Sequence, residues 1–543
     1  MEKKKETKLM GVIASVFLLF IVFSAAFAYF GSFNVDLNNN VAVNINAVSP
    51  GNASFVSSAT QLNLQVPAAN MSQTASNNEI AAATNTATLT VNLTGAANLL
   101  TTCTYDIVYE YDSTSNVYGK SPTTKNSNKE ITLQVSNVNG TNNFANEKNF
   151  DFDSSWGGLK RTLVSGATIE SDGTLTTQNI SIIGKYYNLT IPQTSIEGKA
   201  FTGKIYVTNH SCSASEPAYI TLLKDYGGKD NITELPDSAF ANVTTASDKG
   251  MYKKNDDLGT SYYYRGAVDN NWVKFGQENG KDIYWRIIRI NGDGSIRMIY
   301  SGTTAPKTDS SVTGSNGVYM TGTGTQISTG AFNSNVNKAE YVGYMYTDGE
   351  QHGNSTSSDI KNTLENWYAG TSLKDNPLVS QDQIFCNDRS VTSGTWSSSP
   401  HSDDLYYAPY TRLTASTPSP QLTCPTASDK FTSKKSSIGN KTLEYPVGLI
   451  TADEVAMAGV KWLTGNRTYY LYTNEYYWSG SPNYFYSDDG SVLEFRVEDI
   501  GGGLDSSRVD SIGGASGARP VVSLSSKAKL SGNGTYNNVY TVS

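Results

Sequence analysis

The sequence predicts a mainly β protein with an α+β domain at its C-terminal end. Three observations lead to this fold class. The chain has 543 residues, and at roughly 150 residues per domain this length favours two to four domains. From Thr88 to about residue 240, short runs alternate apolar and polar residues between Gly, Asn and Ser turns, as in antiparallel strands. Beyond residue 245, similar runs are joined by two segments with helical spacing. We therefore expect an antiparallel β-sandwich followed by an α+β domain.

The first thirty residues predict export across a membrane. Four lysines before residue 9 precede an apolar stretch from Leu9 to Phe30, and a basic flank of this kind stays on the cytoplasmic side. The stretch is long enough to remain as a membrane-spanning helix, since about 20 apolar residues suffice. Ala26-Phe27-Ala28 also fits a signal-peptidase site with cleavage after Ala28. Residues 1–30 are thus a signal peptide or a membrane anchor, and both interpretations stay open.

The exported part begins with a segment that buries little apolar surface. Residues 31–95 are poor in charge and rich in Asn, Ala, Ser and Thr, a composition that predicts a stalk made either of short strands or of an extended linker. Residues 96–240 carry the alternation of the β-sandwich, for example at Tyr105, Ile107 and Tyr109. The α+β domain then covers residues 245–543.

The four cysteines predict two disulfides. Cys103 and Cys212 both lie in the predicted sandwich, whereas Cys386 and Cys424 enclose a Ser- and Pro-rich insertion of the α+β domain. In an exported chain the oxidised state is expected. A four-cysteine zinc site is the alternative, and it is disfavoured because no pair has the close Cys-x-x-Cys spacing that such sites use.

Three local patterns predict elements of the α+β domain. The Asn-Gly-Asp-Gly segment at 291–294 separates two strand-like runs, which favours a β-hairpin over a calcium loop that lacks its remaining ligands. Ser358 can cap a helix whose apolar residues fall on one face. Thr451 and Glu454 match a capping box, and Gly459 is placed to end that helix.

Composition argues against several classes of function. Lys+Arg number 41 and Asp+Glu 49, giving a net charge of −8, and such a chain lacks the clustered cations that nucleic-acid binding needs. His210, His352 and His401 stand apart in polar stretches, and we expect them to be solvated. The Ser358-x-x-Lys361 pattern lacks the partner motifs of acyl enzymes. We therefore predict that the protein is not an enzyme and carries no cofactor.

Acidic residues are concentrated in the last quarter of the chain, and they include Asp488, Asp489, Glu494 and Asp505. Carboxylates close to one another can bind calcium or act as the acid/base pair of a glycosidase. The glycines at 490 and 501–503 mark turns, which favours solvated loops instead. Calcium is therefore compatible with the pattern without being supported by it, and we predict no metal.

Three segments of the α+β domain resemble one family, in the family's order. The segment at 449–459 reads Leu-Ile-Thr-Ala-Asp-Glu-Val-Ala-Met-Ala-Gly; Trp-Ser-Gly-Ser-Pro follows at 478–482 and Gly-Ala-Arg-Pro-Val at 517–521. They resemble the Leu-Pro-Thr-Glu-Ala-Glu-Trp-Glu-Tyr-Ala-Ala helix, the Trp-x-x-Ser strand and the closing Gly-x-Arg-Pro strand of the formylglycine-generating-enzyme type of C-type-lectin fold. The Ile-Phe-Cys-Asn-Asp-Arg-Ser segment at 384–390 and the Tyr-Pro-Val-Gly-Leu segment at 445–449 are similar to surface proteins of Gram-positive gut bacteria.

This resemblance spans about residues 250–543 and implies a C-type-lectin-like head, with two helices against a small twisted sheet and long solvent-facing loops before Gly517. The family's oxidase activity depends on a cysteine pair in the C-terminal part, and it is not implied because no cysteine follows Cys424. Retroelements diversify the same fold in loops that end at the Gly-x-Arg-Pro strand. The composition of Asn483–Ser516 fits such a region, and ordinary loop composition explains it as well. The Ala28-Tyr29-Phe30 signal region resembles camelysin and biofilm-fibre proteins of Gram-positive bacteria.

These features predict an exported cell-surface adhesin or receptor that binds a glycan or protein through loops of the lectin-like head. The residues expected to contact the ligand are Trp478, Tyr484, Tyr486, Asp488, Asp489, Glu494, Arg496, Asp505 and Arg508. Aromatic faces stack on sugars or side chains, while carboxylates and guanidinium groups supply oriented hydrogen bonds. For Trp478 and Tyr484 a place in the core is the alternative.

Two other functions stay open. In a structural subunit of a pilus-like or biofilm-matrix fibre, the N-terminal strands pair with a neighbour's sheet edge, which implies self-association. In an extracellular hydrolase, Asp488 and Glu494 act as a carboxylate pair. The expected partners are an extracellular glycan or protein, and also the membrane if residues 1–30 stay attached. No nucleic-acid partner is expected.

Overall fold

A computed structural model of the protein describes residues 41–45, 53–60, 62–65, 81–95, 99–111, 131–149, 160–187, 200–306, 325–399, 403–498, 501–510 and 516–543. The chain divides into two compact units, Met1–Glu216 and Pro217–Ser543. Most elements of both units are strands, and nearly all of their pairs are antiparallel. The predicted mainly β fold is therefore confirmed.

The described residues of the first unit form two antiparallel sheets. Its described strands are β1 (Val41–Ile45), β2 (Ala53–Ala59), β3 (Leu62–Gln65), β4 (Ala81–Thr94), β5 (Leu100–Tyr111), β6 (Ile131–Ser136), β7 (Thr141–Asn142), β8 (Lys148–Asn149), β9 (Lys160–Ser171), β10 (Leu175–Tyr187) and β11 (Ala200–Ser215). One sheet has the order β1-β2-β4-β10-β6-β8, and the other has the order β3-β11-β5-β9-β7.

A single core joins the two sheets of the first unit. Leu89, Val91 and Leu93 alternate with polar residues along β4, and all three are buried. Ile107 of β5 and Ile205 of β11, from the other sheet, belong to the same buried cluster. Because successive strand residues point to opposite faces, the alternation seen in the sequence produces a sandwich with one apolar face on each sheet.

The structure differs from the sequence prediction at the start of this unit. β1 to β4 lie between Val41 and Thr94, where the sequence predicts a stalk. β2 pairs with β4, and β4 pairs with β10 along nearly its whole length. These strands are therefore part of the sandwich. Phe55 and Ala87 are buried on their inner face, while most of the Asn, Ser and Thr residues occupy outward positions, so a polar composition concealed regular alternation.

Both predicted disulfides are present. Cys103 of β5 lies directly opposite Cys212 of β11, with the Cα atoms 4.0 Å apart. Cys386 and Cys424 are joined in the second unit, with the Cα atoms 5.6 Å apart. Two disulfides fit an oxidising, extracellular environment.

The second unit begins earlier than the predicted boundary at 240–245. Its first helix, α1 (Ala218–Lys224), places Ala218, Leu222 and Leu223 in the core of this unit. Ile220 and Leu222 are two residues apart, a spacing that predicts a strand. This apolar run is too short for the spacing of its apolar residues to distinguish a strand from a helix. The structure has a helix here, with Pro217 at its N-cap.

Nineteen described strands and three further α-helices follow. The strands are β12 (Lys249–Asp256), β13 (Gly259–Gly266), β14 (Trp272–Glu278), β15 (Lys281–Ile290), β16 (Ile296–Tyr300), β17 (Ser328–Gly330), β18 (Met345–Tyr346), β19 (Thr356–Ser357), β20 (Phe385–Cys386), β21 (Val391–Ser393), β22 (Leu405–Tyr407), β23 (Lys430–Phe431), β24 (Tyr477–Tyr486), β25 (Ser491–Val497), β26 (Leu504–Arg508), β27 (Ser516–Ala518), β28 (Val521–Leu524), β29 (Leu530–Ser531) and β30 (Tyr540–Val542). The helices are α2 (Asp359–Ala369), α3 (Ala408–Thr414) and α4 (Ala452–Ala458), and short 3-10 turns cover Asp237–Phe240, Ala339–Val342 and Ala427–Asp429.

Two larger sheets organise the second unit. In the eight-stranded sheet the order is β12-β13-β15-β14-β30-β29, and β16 pairs with both β15 and β28. β15 and β16 form the hairpin predicted around residues 291–294. The seven-stranded sheet has the order β17-β27-β24-β22-β21, with β25 added to β24 and β26 added to β25.

The two helices predicted from capping patterns are confirmed. Ser358 caps α2 by accepting a hydrogen bond from the backbone N–H of Lys361. Thr451 and Glu454 form the capping box of α4, and the helix ends at Gly459. The resemblance implied two helices against one small sheet, whereas the described part of this unit contains four α-helices and sheets of eight and seven strands.

No helix within the described ranges is long and apolar enough to cross a membrane. The predicted signal peptide or membrane anchor at 1–30 lies outside the residues that the structure describes.

Candidate functional site

The residues predicted to contact a ligand lie on one antiparallel meander, β24–β25–β26, of the seven-stranded sheet. β24 carries Trp478, Tyr484 and Tyr486, β25 carries Glu494 and Arg496, β26 carries Asp505 and Arg508, and Asp488 and Asp489 lie in the turn between β24 and β25. This corrects the prediction of long loops over Asn483–Ser516, because most described residues of that segment form strands.

Trp478 belongs to the core. Its side chain is 0 % exposed, and its indole N–H donates to the carbonyl oxygen of Gly330 at 2.9 Å. The edge of one ring meets the face of the other where Trp478 contacts Phe332, with centroids 6.0 Å apart. The core alternative is therefore confirmed for Trp478, and its predicted place on the contact surface is wrong.

Glu494 is also buried, so its predicted contact role is wrong as well. The residue is 0 % exposed, and neither carboxylate oxygen has a hydrogen-bond partner among the residues that the structure describes. Burial raises the pKa of Glu494 well above its ordinary range, although the positive charge of Arg389 opposes this shift. Asp488 is exposed in the turn. The structure thus separates by burial the two carboxylates that the hydrolase hypothesis places in one pair.

The predicted guanidinium groups are held by neighbouring carboxylates. Arg496 donates from Nε and Nη2 to Asp505 at 3.1 and 2.9 Å, across the β25–β26 pair. The same guanidinium lies over the ring of Tyr476, 4.1 Å from its centroid. Arg508 pairs with Asp510 at 2.9 Å. These pairs stabilise the meander.

Tyr484 and Tyr486 remain accessible, and they form part of a larger group of rings. We name this group, comprising Tyr406, Tyr410, Trp462, Tyr484 and Tyr486, the aromatic strip. Tyr486 is 40 % exposed, and the other four side chains are partly buried. Tyr406 comes from β22, Tyr410 from α3, and Trp462 from the segment after α4. The fold thus brings distant parts of the chain to one surface.

The rings of the aromatic strip contact one another at varied angles. Tyr406 lies 5.1 Å from Tyr410 and 6.0 Å from Tyr484, measured between ring centroids. Tyr484 lies 5.6 Å from Tyr410 with planes 69° apart, and 6.3 Å from Tyr486 with planes 72° apart. Trp462 extends the group, 6.1 Å from Tyr410. Tilted and edge-to-face contacts of this kind are favourable between aromatic rings.

Carboxylates surround the Tyr486 end of the aromatic strip. The charge of Asp488, and a side-chain hydrogen bond to it, raise the pKa of the Tyr486 phenol, with smaller effects from Asp404 and Asp489. Asp404 accepts hydrogen bonds from the backbone N–H and the hydroxyl of Ser487, at 2.8 and 2.7 Å. These bonds fix the turn that presents the acidic groups.

The sequence signal for the three additional rings was weak. Tyr406, Tyr407 and Tyr410 crowd a short run at the start of α3, and alternation on β22 places Tyr407 inside and Tyr406 outside. Trp462 follows α4 in an irregular segment without a period. The pairing of β22 with β24 places Tyr406 beside Tyr484. Patterns in a single sequence do not reveal such long-range strand pairs.

A second candidate is a narrow cleft with a cavity volume of about 30 Å³. It is lined by charged side chains, among them Asp256, Arg289, Arg297, Asp388, Arg412, Asp453 and Glu454. A cavity needs roughly 10–15 Å³ of this volume for one water molecule, so the cleft holds about two waters and is too small for a sugar or a peptide side chain.

The charges of this cleft are already paired. Arg412 binds Asp453 with two parallel bonds of 2.7 Å and Asp388 at 2.8 Å. The carboxylates and guanidinium groups join α3 to α4 and to the segment after β20, and their opposing charges raise the pKa of Arg412 above its usual range in spite of burial. The cleft therefore stabilises the fold, and we do not assign ligand binding to it.

The Ile-Phe-Cys-Asn-Asp-Arg-Ser segment at 384–390 has a structural role. Asn387 donates to the carbonyl oxygens of Val342 and Gly480 at 3.2 Å each. Arg389 is 0 % exposed and donates to Asp429 at 2.6 Å from Nη2. Adjacent residues of one segment thus satisfy buried polar groups from several loops.

Two histidines are not simply solvated as predicted. His352 Nδ1 lies 3.0 Å from the Asp429 carboxylate, which also binds Arg389. His210 is 8 % exposed, and its ring stacks on Phe55 with centroids 5.4 Å apart. The absence of sequence neighbours that could pair with these histidines did not indicate solvent exposure, because tertiary contacts supply their partners. His401 lies outside the described residues.

Within the described ranges, no group of three His, Cys, Asp or Glu residues is arranged to hold a metal ion. Comparisons of the chain with protein-family models, with curated proteins and with solved structures gave no match.

Proposed function

We propose that the protein is an exported cell-surface binding protein that contacts an extracellular ligand through the aromatic strip. The observation that carries this proposal is the meeting of five aromatic side chains on one accessible surface. Tyrosine and tryptophan dominate the energetics of many binding interfaces, since they combine large contact area with few rotatable bonds.

The exposure of these side chains supports a binding role. Among the described residues, the large hydrophobic side chains most exposed are Leu175, Leu463 and Tyr486. Tyr486 belongs to the aromatic strip, where its ring contacts that of Tyr484. Exposed apolar surface that is grouped in this way marks interaction sites more often than scattered single residues do.

The support of the aromatic strip is rigid. Tyr406 and Tyr484 are directly paired across β22 and β24, and Trp462 packs edge-to-face on the buried ring of Phe495, 5.4 Å away. Rings held on strands lose little conformational freedom when a ligand binds, which favours affinity. Export is supported by the apolar stretch at 1–30 and by the two disulfides.

Binding of the full chain, purified in mild detergent, to a glycan array and to an array of extracellular peptides tests the proposal. We expect one class of spots to be bound and the signal to fall at least about tenfold in the Tyr406→Ala/Tyr484→Ala variant, since buried aromatic anchors contribute about 2 kcal/mol or more. The matched control is Tyr445→Ala, a partly exposed ring that stacks on Tyr368 at 5.3 Å. Equal loss in both variants, or no bound spot, contradicts the proposal.

A fibre subunit is the second candidate. β1 ends the strand order of the six-stranded sheet and pairs only with β2 among the described strands. An edge strand can pair with a strand of another chain. Sedimentation of the full chain over a hundredfold range of concentration distinguishes the candidates, because a fibre subunit forms growing polymers whereas a receptor keeps one mass.

A further inference from the structure

We propose that the Tyr486 end of the aromatic strip binds cationic side chains, so that the ligand is an extracellular protein with a segment rich in lysine or arginine. This inference rests on the proposed function and specifies the chemistry of its ligand. Three properties of the surface support it, namely its charge, the angles between its rings and the state of the neighbouring cations.

The charge at this end of the aromatic strip is negative. The pKa of the Tyr486 phenol is raised by the charges of Asp488, Asp404 and Asp489. Burial raises the pKa of Tyr484, and the charge of Asp404 also contributes to this shift. Asp488 and Asp489 are exposed. Carboxylates next to a binding surface attract cations and repel anions, and they speed the association of an oppositely charged partner. The surface therefore favours a cationic ligand over an acidic one.

The ring angles favour a compact cation over a sugar chain. The planes of Tyr484 and Tyr486 are 72° apart, and those of Tyr484 and Tyr410 are 69° apart. Successive sugars of a straight chain stack best on rings that share one plane. The rings at the Tyr486 end do not share one, although Tyr406 and Tyr484, at the middle of the aromatic strip, have planes 30° apart. A cation can instead approach the negative faces of rings that are set at angles to one another, as ammonium and guanidinium groups do in aromatic cages.

The nearby cations of the protein are already neutralised. Hydrogen bonds from Ser491, and to a smaller extent the charge of Arg508, lower the pKa of Asp489. The guanidinium of Arg508 is nevertheless held by Asp510 at 2.9 Å. Arg496 is held by Asp505 at 2.9 Å. Arg412, on the same helix as Tyr410, is paired with two buried carboxylates. The charged groups that act on the phenols of Tyr484 and Tyr486 are thus carboxylates.

A fluorescent octalysine peptide is the probe for this proposal. Its binding to the full chain is measured by fluorescence anisotropy at 50 and 300 mM NaCl, together with octaglutamate and a neutral hexasaccharide of glucose. We expect octalysine to bind and octaglutamate not to bind. We also expect affinity to fall at the higher salt concentration, since exposed charges are screened over about 10 Å at 0.1 M.

Variants assign the binding to named groups. Tyr486→Ala and Asp488→Asn should each weaken octalysine binding by about two- to fivefold, the size of an exposed cation–π contact or charge pair. Tyr486→Phe should recover most of the affinity lost in Tyr486→Ala, because the ring face is kept. Asp375→Asn is the matched control for charge, since Asp375 is a surface carboxylate with 71 % side-chain exposure, and it should leave the affinity unchanged.

The outcomes separate this inference from the proposed function. Equal weakening by Asp375→Asn and Asp488→Asn indicates nonspecific attraction to an acidic protein and overturns the inference. Binding of the hexasaccharide that is insensitive to salt and lost in Tyr484→Ala also overturns it, while leaving the proposed function intact. If aromatic substitutions change neither peptide nor saccharide binding, both proposals fail. Thermal unfolding of each variant verifies that the fold is kept.

Discussion

Tyr406 and Tyr484 lie directly opposite each other on β22 and β24, with ring centroids 6.0 Å apart and planes 30° apart. They are 484 − 406 = 78 positions apart in the sequence. This cross-strand pair connects the segment that carries α3 with the β24–β25–β26 meander, and it lies at the middle of the aromatic strip. The pair has a structural role in joining these segments and supplies part of the accessible ring surface.

A double-mutant cycle measures the first of these roles. The variant with both Tyr406→Ala and Tyr484→Ala should lose less free energy of unfolding than the two single variants lose in sum. We expect a difference, the coupling free energy, of about 0.5–1 kcal/mol, since aromatic cross-strand pairs contribute this much. Guanidinium-chloride unfolding of the full chain gives the four values. Tyr445→Ala combined with Tyr484→Ala is the control and should be additive; an additive result for Tyr406 with Tyr484 refutes the pairing.

The buried carboxyl of Glu494 predicts a pH dependence with an unusual sign. Burial raises its folded pKa well above the ordinary value. In the unfolded chain a glutamate loses its proton near pH 4.3, whereas folded Glu494 keeps it. The favourable contribution of the Glu494 carboxyl to the free energy of unfolding is therefore complete below about pH 4.3. It is lost as pH rises towards the folded pKa, by up to about 1.4 kcal/mol per pH unit.

Glu494→Gln removes this dependence because glutamine does not ionise. The variant should match the parent protein near pH 4 and be more stable than it at pH 7 and 8, as measured by denaturant unfolding at each pH. Glu350→Gln, at an exposed position, is the control and should have little effect. If Glu494→Gln lowers stability at pH 8, Glu494 is ionised and paired, and burial does not keep its carboxyl neutral.

Much of the local structure was predictable from the sequence, for a physical reason. The strands of the sandwich bury one face and expose the other, so Leu89, Val91 and Leu93 appear in alternation. The Thr451–Glu454 capping box and the hairpin at 291–294 depend on neighbours within a few residues. Features set by local contacts are therefore visible in the chain order itself.

The buried and paired state of the predicted site residues was not predictable. β25 has buried residues on both faces, with Val492, Glu494 and Phe495 all buried, so alternation does not sort polar from apolar positions there. The rings of Tyr406, Tyr410 and Trp462 reach Tyr484 only through pairing of distant segments. The sequence prediction singled out residues that form the β24–β25–β26 meander, but it placed them in loops. It included the rings of Tyr484 and Tyr486 and did not include those of Tyr406, Tyr410 and Trp462.

The disulfide between Cys103 and Cys212 should be the stronger of the two stabilising cross-links. It closes 109 residues, against 38 for Cys386–Cys424, and the chain-entropy model gives about 4.8 and about 3.9 kcal/mol for loops of these lengths. Replacing each pair by serine and following denaturant unfolding should show losses in this order, within the usual range of about 2–5 kcal/mol. A larger loss for Cys386–Cys424 contradicts an entropic origin.

Glu454 predicts the opposite pH behaviour from Glu494. Its Oε1 lies 2.8 Å from Nε of Arg289 and 2.7 Å from Nε of Arg297. The second contact is a close ion pair without hydrogen-bond alignment, since Nε of Arg297 has no hydrogen-bond partner within the described part of the chain. Burial alone would raise the pKa of Glu454, but the charges of Arg297 and Arg289 lower it below the ordinary range.

The stabilisation from Glu454 is therefore present above the unfolded pKa of about 4.3 and is lost as pH falls through the lower folded pKa. Glu454→Gln leaves Arg289 and Arg297 with less compensation for their buried charge, so we expect a loss of about 3–5 kcal/mol at pH 7. The loss should shrink below pH 4, where the parent protein also begins to protonate the carboxylate. Denaturant unfolding at pH 3.5, 5 and 7 measures the loss of stability at pH 7 and its decrease at low pH, with Glu350→Gln again as control. A pH-independent loss would show that packing, and not charge, holds α4 against β15 and β16.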